Sequence, residues 1–165
     1  MISLGQILSD GVIASIPFSI IVWATFLTMP RLWLHSLPAD IQALAPAKTL
    51  PEKRLTVVMG IFVLLAFFGV PIALTWRLKI ASGSDLSFLQ ILVYLYGVWM
   101  VINLCDLVLI DWLYTTLVNP DRPPIPGTAG AAGYKNYRFH LNAFFKASVF
   151  SLLLIVPAAA VIRFM

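Results

Sequence analysis

From Leu55 to Trp76 the chain carries no charged side chain, and this run decides which solvent the fold must meet. About 20 apolar residues in helical form cross the roughly 30 Å hydrocarbon core of a bilayer. Further stretches of that kind lie at about 11–33, 86–118 and 137–162, joined by short connections. A water-soluble domain of this length cannot enclose so much hydrocarbon: hydrophobic residues make up 61% and charged residues 11%, with mean hydropathy +0.94. The sequence predicts an all-α polytopic membrane protein, a single transmembrane domain over 1–165 with four helices in an up-down bundle. No soluble domain is expected beside them.

Each span carries local instructions. The apolar run from Gly11 to Trp33 is too long for a signal-peptide core, so the first helix is expected to stay in the mature protein. Pro17 lies within it, and Ser15, Ser19, Thr25 and Thr28 can return hydrogen bonds to nearby backbone. In the next connection Leu37, Ile41 and Leu44 fall at helical spacing between Pro38 and Pro46, which predicts a short interfacial helix on the membrane surface. Thr49 and Glu52 form a T-x-x-E capping box for the second span. Gly60 and Gly69 permit close helix approach there without the GxxxG spacing of a dimer motif. Ser82 or Ser84, in the turn with Gly83 and Asp85, can cap the third span. At 1.5 Å per residue that span measures about 50 Å, so it must tilt, break or project beyond the bilayer.

Positive charges set the orientation. Arg31, Lys48, Lys53 and Arg54 follow the first span, and Arg122, Lys135 and Arg138 follow the third, whereas the opposite side holds Arg77, Lys79 and Arg163. Cytoplasmic loops are the ones enriched in Lys and Arg, so both termini are expected outside a bacterial cytoplasmic (inner) membrane. The net charge of +4 then reads as topology and attraction to membrane lipid, with no nucleic acid as partner. The single cysteine, Cys105, excludes an internal disulfide or a Cys-x-x-Cys redox pair.

The polar chemistry concentrates between Leu95 and His140. Ionisable groups inside a span are costly and mark a functional site by default. On a helical wheel Asn103 and Asp106 share an inward stripe, with Asp111 about 80° to one side of Asn103. The fourth helix returns antiparallel with His140 and Lys146. Matching depths at 1.5 Å per residue pairs Asp111 with His140 and Asp106 with Lys146. Asp106, Asp111 and His140 are thus the candidate acid–base groups. The connecting hairpin P-G-T-A-G-A-A-G-Y-K offers Gly127, Gly130 and Gly133, with Lys135 and Arg138 at a helix start, as a candidate cradle for an anionic headgroup. Its spacing fits neither phosphate-loop pattern, and a tight re-entry loop is the structural alternative. Lys146 can equally snorkel to lipid headgroups. His35 and His140 fall near helix ends, an arrangement unsuited to haem ligation, and no metal or cofactor is expected.

Asp106-x4-Asp111-Trp112-Leu113, then Pro126-Gly127-Thr128 and Gly133-Tyr134-Lys135-x-Tyr137-x-Phe139-His140, resemble small bacterial four-helix integral membrane proteins of unassigned function. The resemblance implies the architecture and implies no substrate. Three functional classes stay open. The first is a non-enzymatic bundle acting as a binding or assembly subunit, whose paired Asp, His and Lys groups simply fix helix register, with lipid, other membrane subunits or a second copy as partner. The second is an intramembrane enzyme on lipid or isoprenoid substrates, with Asp111 or Asp106 as base and His140 as acid. The third is a proton-coupled transporter acting as an oligomer, with Asp106 exchanging protons.

Overall fold

Ser3 fixes where the first helix begins: its hydroxyl accepts the amide of Gln6 at 3.1 Å, one of the donors a helix start leaves without an internal partner. The structure is a computed structural model, with residues 2–83 and 86–165 described. In chain order the helices are α1 (Leu4–Thr28), the short α2 (Ala39–Leu44), α3 (Leu50–Ala81), α4 (Phe88–Leu117) and α5 (Tyr137–Phe164). No strand occurs among the described residues, and α1, α3, α4 and α5 are each long and apolar enough to cross a membrane. They alternate in direction as an up-down bundle.

The ends differ from those expected, for local reasons. α1 starts well before Gly11 because Ser3 caps it, and stops at Thr28 because Pro30 opens a 3-10 turn, Pro30–Ser36. α3 starts on the expected box: Thr49 accepts the amide of Glu52, and the Glu52 carboxylate accepts the amide of Thr49 at 2.7 Å. Its Leu65–Gly69 stretch opens into a wide π turn just before Pro71, whose missing amide and ring are incompatible with a regular bond to Phe67. α4 is not capped by Ser82. Ser87 and Gln90 form that capping box, Ser82 closes the end of α3, and Ser84 and Asp85 lie outside the described residues.

α4 is the hub. Ile91, Tyr94, Leu95, Val98, Trp99 and Ile102, at helical spacing, are all enclosed. One side packs on Ala14, Phe18 and Val22 of α1, the other on Ile155, Ala159 and Ile162 of α5. α3 leans on this pair through its second half, where Phe67 bridges Phe18 and Trp99 at ring separations of 4.9 and 5.3 Å. From Leu50 to Leu64 it buries no residue. Ile20, Val57, Phe62, Val93, Val149 and Leu153 face outward, an apolar exterior suited to hydrocarbon.

The closest helix approach uses glycines other than the two expected. A Cβ on Gly11 of α1 would meet Val101 of α4, and one on Gly97 of α4 would meet Ile7 of α1 at 2.7 Å. Each helix receives the other's β-branched side chain in a glycine notch. Gly60 has nothing within 4 Å, and Gly69 meets only Leu65 of its own helix.

The first connection is packed against the protein. Leu37 and Ile41 turn inward and are enclosed, while Leu44 is exposed. The Arg31 guanidinium holds the Glu52 carboxylate at 2.6 Å, and that bond raises the arginine's already high pKa. Lys48 donates to Leu32 O at 2.9 Å and Thr56 Oγ1 at 3.0 Å, and burial pushes its ammonium below the ordinary lysine value. Lys79, buried near the end of α3, donates to Ile162 O and Arg163 O and closes the carboxyl end of α5.

Candidate functional site

The site is made by a second wide turn. From Asp106 to Trp112, α4 runs as a π-helix. The segment holds neither proline nor glycine, so no backbone breaker causes it. A regular α-helix sets residues five apart at about 140° to one another. The i→i+5 ladder instead stacks them on neighbouring turns. Asp106 and Asp111 consequently share a face and line the same two cavities. From α1, the Trp23 indole donates to Leu109 O at 3.0 Å, supporting a carbonyl inside the widened stretch.

Asp111 meets His140, the Oδ1–Nδ1 distance being 3.1 Å, and the imidazole is almost fully buried. This is the pair that depth matching predicts. The other predicted pair does not form. Lys146 is exposed, and among the described residues the only ion pairs are Arg31–Glu52 and Asp111–His140. Six residues along an α-helix turn the side chain by about 240°, so Lys146 has the depth of Asp106 but the wrong face. Asn103 is buried and donates to Ser148 Oγ at 3.2 Å and Phe144 O at 3.4 Å, and Tyr96 donates to Ser148 O at 3.0 Å. These bonds clamp α4 to α5 beside the carboxylates.

Between α1, α4, α5 and the Pro30–Ser36 turn lies a cavity of about 420 Å³. Asp106, Asp111, His140, His35, Phe26 and Trp33 are on its wall. A smaller cavity, about 130 Å³, lies against the same two carboxylates and adds Asn103. His35 arrives there because the 3-10 turn folds back beneath α1, its ring stacked on Trp33 at 6.5 Å. Its position at a helix end gave no such sign; the turn-forming Pro30 was the available one. The two histidines thus face one cavity, yet among the described residues no three His, Cys, Asp or Glu side chains are placed to hold a metal ion.

The hairpin is occupied by the protein itself. Gly127 and Gly130 have φ of +85° and +79°, values that L side chains rarely adopt. Gly133 donates its amide to the Asp40 carboxylate of α2 at 2.7 Å, and a Cβ there would overlap Asp40 and Pro38. The anion in this glycine loop is therefore an internal one, which the sequence reading missed. Lys135 donates to Thr115 O, Thr116 O and Val118 O at 2.8, 3.1 and 2.7 Å. It closes the carboxyl end of α4 and is not available to a headgroup. Arg138 is exposed. Gly127, Gly130, Gly133 and Lys135 build the re-entry turn; Asp106, Asp111 and His140 build the cavity.

The chain matches no protein-family model, no curated protein and no solved structure. The chemistry of the cluster rests on its own groups. Asp111 orients His140, leaving Nε2 as the reactive nitrogen, and Asp106 stands beside the pair with no hydrogen-bond partner among the described residues. Such a set can hold a polar ligand inside an apolar bundle or pass a proton to it.

Proposed function

We propose that this chain is a membrane-embedded binding protein that takes a small molecule into the cavity between α1, α4 and α5. The observation that supports this reading is the convergence of Asp106, Asp111, His140 and His35, from three separate stretches of sequence, on one space of about 420 Å³. Small-molecule sites commonly measure about 300–1,000 Å³ and join apolar walls to a few convergent polar groups. A bundle needing only register would not line a void with ionisable groups, because each is costly at membrane depth.

Native mass spectrometry of the gently extracted protein tests it. A defined small molecule should leave with the wild type and be absent from Ala143→Phe, which narrows both cavities. A stoichiometric protein partner retained equally by both forms, with no small molecule, would move the function to assembly.

The membrane proposed is the bacterial cytoplasmic membrane, with the cavity towards the cytoplasmic leaflet, α2 at the headgroup level and both termini outside. Lys48, Lys79 and Lys135 are engaged with backbone carbonyls, yet Lys53, Arg54, Arg122 and Arg138 still outweigh Arg77 and Arg163. Reporter fusions should place the amino terminus outside, and a cytoplasmic signal there would reverse the orientation.

One observation favours a second reading. An imidazole fixed by a carboxylate through Nδ1 is the arrangement of a general acid–base pair, which suits an enzyme acting on lipid or isoprenoid substrates.

A further inference from the structure

The donors carried by side chains on the wall of the larger cavity are already committed inside the protein. The Trp33 indole donates to Thr25 Oγ1 at 2.9 Å, and the Ser36 hydroxyl donates to Trp33 O at 2.8 Å. His35 Nδ1 lies 3.1 Å from Leu32 O. A carbonyl only accepts, so Nδ1 carries the proton, and in the neutral imidazole Nε2 is left as an acceptor. His140 Nδ1 faces the Asp111 carboxylate at 3.1 Å, so in the neutral imidazole its Nε2 is likewise the acceptor. His140 is 4% exposed, and its Nε2 has no hydrogen-bond partner among the described residues. Asp106 also lacks one. The helical walls spend their amides in their own ladders. Towards a cation the cavity therefore presents acceptors: the Asp106 carboxyl group, the second Asp111 oxygen and two imidazole nitrogens. The remaining wall is largely aromatic and aliphatic, including Phe26, Trp33 and Phe139.

We propose that this cavity binds an organic cation, an ammonium group on a short apolar body, with Asp106 as its counter-ion and His140 Nε2 as the adjoining acceptor. The inference rests on the binding reading above and narrows it. An anion would meet two carboxyl groups on one wall, and a neutral molecule would bring no charge to answer theirs. An ammonium supplies donors to each acceptor, and its adjoining carbons pack against the apolar wall that includes Phe26, Trp33 and Phe139.

Three probes of one chain length decide the matter: hexylammonium, hexan-1-ol and hexanoate, each titrated calorimetrically into the full-length protein in an uncharged detergent. Hexylammonium should bind at least tenfold more tightly than the other two. Asp106→Asn should remove that preference, Asp106→Glu should retain it, and Lys146→Met, on the opposite face, should leave it unchanged. Ala143→Phe should weaken all binding, which keeps the site identified even if Asp106→Asn fails to fold. Equal binding of the three probes, all weakened by Ala143→Phe, would overturn the cation proposal and leave the binding reading standing. A preference for hexanoate would overturn it likewise. A hexylammonium preference indifferent to Ala143→Phe places the cation elsewhere and sinks the proposal. Absence of binding by every probe, together with no small molecule in the native mass spectrum, would remove both readings.

Discussion

Gly97→Val should lower the thermal unfolding midpoint of the detergent-purified protein by roughly 6–12 °C, and Gly11→Val should do the same. A Cβ at Gly97 already falls 2.7 Å from Ile7 Cγ2, and one at Gly11 falls on Val101. Two further methyl groups at either notch force α1 from α4 along the main seam of the bundle. Overpacking of a well-filled core costs about 1–3 kcal/mol, and the upper end applies where both neighbours are β-branched and stiff. For a chain of this size each kcal/mol moves the midpoint by roughly 2–4 °C. Gly60→Ala is the control: with nothing within 4 Å, it should be neutral or mildly stabilising, since alanine is the better helix former. An unchanged midpoint in Gly97→Val would mean that α1 and α4 cross with more space than the structure gives them.

The second large effect is at the Asp111–His140 contact. His140→Ala removes a buried partner and leaves the Asp111 carboxylate, 24% exposed at its side chain, on the cavity wall without it. Leaving a buried polar group without its partner costs about 1–3 kcal/mol. Asp111→Asn combined with His140→Ala should be less destabilised than the sum of the single changes, with a coupling of at least about 1 kcal/mol. The cycle of Asp106→Asn with Lys146→Met should be additive within about 0.5 kcal/mol, because those side chains lie on different faces. Equilibrium unfolding in mixed micelles reads both cycles. Coupling in the second and none in the first would reverse the assignment of the site.

The four spans, the Thr49–Glu52 box and the Asp111–His140 contact were legible because each depends on local chemistry or on depth, and depth follows from residue count. Lys146 shows the limit: depth was right and azimuth wrong. The shared face of Asp106 and Asp111 could not be read from a wheel that assumes one helical pitch. The notches at Gly11 and Gly97 stayed hidden because a small-residue motif is sought along one helix, whereas here each helix contributes one position. Asp40 reached the glycine hairpin and His35 the cavity only when distant segments folded together.

The wide turn of α4 also has a meaning in terms of chain length. A π segment is a helix holding one residue more than its regular course would use. Upstream of it, the phase of α4 is set by the seam with α1; downstream, Asp111 answers to α5 and Thr115 to Val118 answer to Lys135. The surplus residue lets these two phase requirements coexist in a single unbroken helix. The register of the seam and the chemistry of the cavity can therefore drift separately, one by substitutions before Asp106 and the other by where that extra residue is inserted.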